Sequence, residues 1–495
     1  MSQEAGFSAS ADHEVHLRTG EEYRESMRDG RTVYYGGKKI DVTEHYATAG
    51  VIDLHARIFD AQHDDATRDI LTYEDADGVR RPTGWLIPTT AEHLRMKREY
   101  NEYFAFQTLG IPGRSPDTCH WTMLGILSVR DEFERLSPAF APNIAKNIAR
   151  LSAKNSHLTC SIGEPQGTRS RASKAGEDRD DMFRIVREND DGIWLSGART
   201  AGSSGPQCDE IAVGTIYYPF VQEAESVWVT IQANAPGLSF VCRETTVSAD
   251  DDSKNLPLSS GRDEIDAMMI FDEVFVPRDR ILATRAPELH SSALYGTVAR
   301  GEHWSVMTRL CVKAEMLAAL AQLIVDSLDT SGIPVVRDQV AKVIEYSKIL
   351  RAGVIAAESQ ASMRGGILLP DAGMVSAVRA YALDRYAEIM HIVQELCGQG
   401  LVMRFPDESF DGELGEKLER YLAANNRTGR SKNLLMNIVW DLTTSGQAGR
   451  SALFENVNGL PSFVLRQKLY GETMAERALL IERMSGMLGL AEATH

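Results

Sequence analysis

The chain has 495 residues and a formal charge of −17 at pH 7, more than one ordinary core needs and ample for an extensive buried interior. That acidic balance excludes a nucleic-acid or anionic-membrane partner, because either requires a basic field to displace counterions. The six cysteines, Cys119, Cys160, Cys208, Cys242, Cys311 and Cys397, are scattered without a CxxC pair, which reads as reduced thiols and no metal site.

The opening stretch, MSQEAGFSASADHEVH, carries no apolar core, and no apolar run approaches the length of a membrane span. Neither a secretory signal nor a transmembrane helix is predicted, and the expected location is cytoplasmic.

From about Thr19 to Lys154 the period is mainly helical. AEHLRMKREYNEYFAFQTLG spaces Leu94, Tyr100, Phe104 and Leu109 among polar residues, and Pro116 suits the first turn of a helix through TCHWTMLGILSV. This gives an N-terminal, mainly helical domain over 1–157. Between 158 and 285 the period shortens to strands, IWLSGA, DEIAVGTIYY, SVWVTIQA, LSFVCRE and MMIFDEVFVP, separated by Gly, Asp, Asn and Pro turns. A central β-barrel-like domain is expected there, with SADDDSKN at 248–255 as a solvated loop.

From 286 to 495 long helices return as a C-terminal bundle. In VRDQVAKVIEYSKILRAGVIAAESQA the positions Val336, Val340, Val343, Ser347, Leu350, Val354, Ala357 and Ala361 keep a four-three spacing, so one seam of that helix is predicted to be buried. The sum is an α+β architecture with a ligand site where three regions meet. No GxGxxG after a strand and no P-loop is present, so nothing reads as a site for a nicotinamide cofactor or ATP.

Several blocks, in order, resemble those of the 4-hydroxyphenylacetate 3-hydroxylase family: LRTGEEYRESMRDGRTVYYGGKKIDVTEH, GRSPD, TCSIGEPQ, DDGIWLSGARTAGSSGPQCDEIAVG, FDEVFVP and WDLTTSGQAGRSALFE. The resemblance spans nearly the whole chain. It implies the acyl-CoA dehydrogenase fold, a homotetramer, and a monooxygenase that takes FADH2 from a separate flavin reductase. With O2 such a flavin forms a C4a-hydroperoxide, which hydroxylates an aromatic or electron-rich small molecule.

In the family an arginine and a tyrosine of a GRxPDY block and a histidine of a THxxxNPQ block surround a phenolic oxygen. Arg114 matches the arginine, whereas Thr118 stands at the tyrosine, Cys160 at the histidine and Glu164 at the asparagine; Thr159, Pro165 and Gln166 complete that block. Arg114 is read as a contact to substrate or flavin, the alternative being a surface cation paired to Asp117. Thr118 is a substrate contact or a packing residue. Cys160 reads as a neutral, space-filling thiol, with a reactive thiol as the alternative.

His120 is a candidate base, but it lies about 200° from Thr118 on a helix and cannot share its face. The resemblance places Thr200, Ser203 and Ser204 on a flavin-side loop, a plain turn being the other reading. Gly398 and Gly400 meet the flavin pyrophosphate or simply cap a helix. Tyr295, His303 and Trp304 are candidate substrate-lining residues. Two further readings stand beside the monooxygenase: a hydroxyacyl-CoA dehydratase using FAD and an iron–sulfur cluster, and a flavin- or ligand-binding protein without turnover.

Overall fold

The computed structural model describes residues 14–114, 116–165, 182–215, 221–250, 253–458 and 460–490. Four sequence expectations fall wholly or partly elsewhere: the opening stretch up to residue 13, Gln166, the Ile216–Tyr218 end of one strand, and Asp251 with Asp252 lie outside the described residues.

Local signals set the N-terminal helices. Thr19 and Glu22 exchange side-chain and backbone hydrogen bonds in a capping box that starts Gly20–Ser26. Thr90 caps Ala91–Thr108, which ends where Leu109 turns left-handed at φ 59°. Pro116 occupies the first position of Pro116–Ser128, where its missing N–H costs nothing. Every residue of this helix from Asp117 onward is buried, so it is a central helix with no solvent face.

The central strands form two open sheets rather than the expected barrel. The larger runs Lys38–Ile40, Thr32–Tyr35, Leu238–Cys242, Asp266–Pro277, Gly192–Ser203, Arg184–Asn189; the smaller runs Ile281–Thr284, Val227–Gln232, Glu210–Gly214, Leu158–Ser161. The first two strands come from the N-terminal region, so the sheet extends beyond 158–285. Ile211, Val213 and Val229 of the smaller sheet share a core with Leu195, Phe240, Met269 and Phe271 of the larger, as in a sandwich.

Side chains alternate across a strand. Leu158, Cys160 and Ala212 therefore leave the sandwich and join the helical core, while Thr159 and Ser161 bond to carbonyls of Ser203 and Thr200 in the larger sheet. The stretch ARTAGS is strand, not loop: Gly192–Ser203 pairs with Asp266–Pro277 along its length. At Gly197 a φ of 119° and the Phe183 Cα only 2.5 Å from any added Cβ leave room for glycine alone. The turn begins one residue later than the strand's end, at Ser204, with φ 55°.

The C-terminal bundle contains Arg300–Ser327, Pro334–Ser359 and Ala372–Leu396 packed on one another. In the middle helix Val340, Val343, Ser347, Leu350, Val354 and Ala357 are buried as the spacing predicts, while Ala361 lies past the helix end. This seam packs inside the chain. Exposed apolar residues are concentrated further on in Met474–Leu488, where Leu479, Leu480, Ile481, Met484, Met487 and Leu488 are all more than half exposed. No described helix is long and apolar enough to cross a membrane.

Candidate active site

The helix Pro116–Ser128 lies between the smaller sheet and Arg300–Ser327, and the turn that precedes it carries Arg114. Glu264, fully buried just before the Asp266 strand, accepts the backbone N–H of Gly113 at 2.6 Å and that of Arg114 at 3.2 Å. A carboxylate holding two adjacent amides fixes the turn as a nest-like anion site would. Burial raises the Glu264 pKa, and Arg450, 3.3 Å away, works against that rise.

The helix Gly446–Val457 braces the same turn. Arg450 pairs with Glu264 and Asp266, and a Cβ on Gly113 would come within 1.9 Å of the Phe454 ring. Beyond the helix end, the Asn458 side chain accepts from Arg114 Nη2 at 3.4 Å and its carbonyl accepts from Arg379 at 2.5 Å. Glu455 neutralises Arg309 at 2.6 Å and Lys313 at 3.5 Å below the site.

The Arg114 guanidinium has a thiol on one side and a carboxylate on the other. Nη1 donates to Cys160 Sγ at 3.2 Å, and Nη2 lies 3.5 Å from Glu302 Oε1. Cys119, one position before His120 on the central helix, donates to Cys160 Sγ from 3.5 Å. That hydrogen bond, with Arg114 behind it, lowers the Cys160 pKa against the effect of burial, and the same bond raises that of Cys119. Apolar burial alone predicts a neutral thiol at 160; the neighbours reverse the direction.

Of the other expected residues, Tyr295 on the short helix Ser292–Val298 is half-buried near Arg114, Glu302 and Cys160, whose charges act on its hydroxyl; burial first, then Glu302, raises its pKa. His303 is buried and feels Arg379, Lys468 and Arg114, so it is held neutral well below its usual range, chiefly by burial. Trp304 packs edge-on against Trp121 at 5.7 Å in the core.

Thr118 and His120 leave the Arg114 group. Thr118 Oγ1 is 3.0 Å from Ser305 Oγ, beside Asp117 and Asn101, on the face toward Arg300–Ser327. His120 stacks on Trp85 with ring centroids 3.9 Å apart and places Nδ1 3.0 Å from the Gly84 carbonyl. Burial, reinforced by Lys97, lowers its pKa to about 3. It is a neutral core histidine and not a base for the site.

On the sheet side, Thr200 N donates to Gly163 O at 2.9 Å and its hydroxyl to Glu164 O at 3.1 Å, bringing the TCSIGEP strand end beside ARTAGS. Glu164 itself pairs with the buried Arg199. Ser203 donates to Asp266 at 2.7 Å, Thr159 to Ser203 O, Ser204 is buried in the following turn, and Pro165 is half-buried. Gly398, at φ 53°, separates Ala372–Leu396 from Gln399–Val402, and Gly400 lines a cavity of about 180 Å³ with Gln399, Met403, Lys432, Asn433 and Met436.

Glu264, Glu302, Asn458 and the approach of Cys119 were not legible in the sequence. The block WDLTTSGQAGRSALFE signals only that this stretch matters; its Arg450 and Phe454 act across a separation that no periodicity reports.

Models of the N-terminal and C-terminal parts of 4-hydroxyphenylacetate 3-hydroxylase match residues 19–283 and 292–481. The FADH(2)-dependent monooxygenase TftD of Burkholderia cepacia is 30% identical over 457 residues, covering 91% of this chain and 88% of that protein. The oxygenase component of a 4-nitrophenol 4-monooxygenase/4-nitrocatechol 2-monooxygenase from Rhodococcus opacus is 31% identical, with 91% and 87% covered. A crystal structure of an oxygenase component of 4-hydroxyphenylacetate 3-monooxygenase, complexed with FAD and 4-hydroxyphenylacetate, superposes with TM-score 0.86 at 29% identity, covering 95% of this chain and 99% of that one. Likeness to butyryl-CoA dehydrogenase of Megasphaera elsdenii, at TM-score 0.52 and 11% identity, concerns the fold alone.

Proposed function

The chain belongs to the 4-hydroxyphenylacetate 3-hydroxylase family, and on that premise we propose that it is the oxygenase component of a two-component, FADH2-dependent monooxygenase acting on an aromatic small molecule. A separate reductase supplies its reduced flavin. The observation that carries this reading is Arg114: its backbone N–H is held by Glu264 and its guanidinium by Glu302, Asn458 and Cys160, with Nε still lacking a partner among the described residues.

Donors are what a flavin and a phenolate need. Besides Arg114 Nε, Asn458 Nδ2 is buried without a partner among the described residues, and a buried donor left unmade is costly. An isoalloxazine edge or a phenolate oxygen offers acceptors that fit both. Thr200, Ser203, Ser204 and Pro165 would flank the flavin on the sheet side, and Gly398 with Gly400 would meet its phosphates beside Lys432 and Gln399. The bound reduced flavin supplies the activated oxygen. The chain's part is to orient the ring, to stabilise a phenolate through Arg114, and to exclude water with Tyr295, His303 and the helical wall.

Cys160 occupies less volume than a histidine, so the favoured substrate is bulkier or less polar at that edge than a simple phenol. Six free cysteines and an acidic surface suit a reducing, cytoplasmic setting.

The test supplies FAD, a general NADH-dependent flavin reductase, isotopically labelled O2 and a panel of substituted phenols. Label appearing in a hydroxylated product supports the proposal. Peroxide release alone with every compound would instead identify a flavin-binding protein without turnover, and oxidised FAD retained stoichiometrically through gel filtration would point to the dehydratase reading.

A further inference from the structure

Cys119 and Cys160 come from a helix and a strand separated by 41 residues, yet their sulfurs lie 3.5 Å apart, both fully enclosed. A disulfide needs about 2.05 Å, so the two sulfurs have only about 1.5 Å to close. Arg114 Nη1 sits 3.2 Å from Cys160 Sγ, a cation placed to stabilise the thiolate, which is the reactive form. The Arg114 side chain keeps 15% of its surface exposed, so the sulfur pair lies one side chain below the opening of the site.

We propose that Cys119 and Cys160 form a dithiol that hydrogen peroxide converts to a disulfide, reversibly switching the site off. Cys160 thiolate attacks one peroxide oxygen; the O–O bond breaks, the second oxygen leaves as hydroxide and takes up a proton to become water, and a sulfenic acid remains on Cys160. The Cys119 sulfur then attacks the Cys160 sulfur, the S–O bond breaks, and the oxygen leaves as a second water carrying the Cys119 proton. Two thiols lose two electrons, and one peroxide becomes two waters.

The consequence falls on Arg114. In the disulfide the sulfur that faced the guanidinium is drawn toward Cys119, so Arg114 loses the acceptor that holds Nη1 and the pocket edge moves. An oxygenase that releases peroxide when its ring substrate is missing would thereby stop consuming reduced flavin. Cys119 is a resolving thiol that protects Cys160 from irreversible oxidation.

The test adds hydrogen peroxide directly to the full-length protein, so its outcome does not depend on whether the chain hydroxylates phenols. Expected are loss of two of the six thiols on denaturing titration, a Cys119–Cys160 cross-linked peptide after digestion, and return of both thiols with dithiothreitol. Phenylarsine oxide, which bridges paired thiols, should bind one equivalent and block the cross-link. In Cys119→Ser and Cys119→Ala, Cys160 should go on to sulfinic acid, with no recovery under dithiothreitol. If Cys160 in the natural protein reaches sulfinic acid without any cross-linked peptide, or if all six thiols survive peroxide that oxidises free cysteine, the proposal is overturned.

Discussion

Glu264 holds the turn that aims Arg114: its two carboxylate oxygens accept the N–H groups of Gly113 and Arg114 at 2.6 and 3.2 Å. The reacting-side guanidinium is therefore set by a residue 150 positions away, itself locked by Arg450.

Replacing Arg114 with Ala is expected to cost about 2–4 kcal/mol of transition-state stabilisation, read from the fall in kcat/KM, the range for losing a preorganised charged donor in a water-poor site. Cys160→Ser should lower it much less, because the hydroxyl keeps the volume and a hydrogen bond to Arg114. Steady-state kinetics with reduced FAD in excess check both. A dead Cys160→Ser beside an active Arg114→Ala would reverse the two roles.

Glu264→Gln keeps one acceptor for the turn but removes the charge that pairs with Arg450. A loss of about 1–3 kcal/mol in transition-state stabilisation is expected, with kcat falling more than KM rises, since the turn still forms. Gly113→Ala should do worse: its methyl would enter the Phe454 ring, so both stability and activity fall. Thermal unfolding alongside kinetics separates the two cases.

Thr118→Tyr, which restores the family residue, is expected to destabilise by about 1–3 kcal/mol through overpacking, because Thr118 is fully buried beside Ser305. Cys160→His should by itself raise the rate with simple phenols, the imidazole accepting the phenolic proton. If Thr118→Tyr improves phenol turnover without loss of melting temperature, the side chain at 118 reaches the substrate after all.

His120 is held neutral with a pKa near about 3, against 6.5 for the free side chain, and His157 is lowered to about 4. Burial is the leading cause for both. A depressed folded pKa means that the unfolded chain takes up protons first, so stability is full above 6.5 and falls as pH drops from there toward the folded values. The slope amounts to about 1.4 kcal/mol per unit for each such group. Denaturant unfolding across this window should show it, and His120→Asn should flatten it.

The exposed apolar side chains of Met474–Leu488 should be covered by other copies of the chain, giving a homotetramer of about four times 54.7 kDa. The seam Val340–Ala357 is already packed inside one chain and takes no part. Light scattering on the natural protein and on Leu480→Asp with Met484→Asp checks this: the pair should dissociate the assembly, and a natural protein running as a monomer at micromolar concentration would reject it.

The amino-acid order by itself determined many of the elements. Proline at 116 and the four-three seam are local signals, and each fixes its backbone because neighbouring residues along the chain decide it. A family block likewise pointed to Arg114. The strand Leu158–Ser161, seen only in the structure, separates Cys160, facing the helices, from Thr159 and Ser161, facing the larger sheet. What only the tertiary structure decided is the company each residue keeps. Thr118 turns to Ser305, His120 to Trp85, and Cys119 meets Cys160 across 41 residues. Glu264 and Asn458 reach Arg114 from 150 and 344 residues away. Such contacts follow from how a buried helix rotates between a sheet and a bundle, and that rotation is chosen by the packing of all three layers together, which no single stretch encodes.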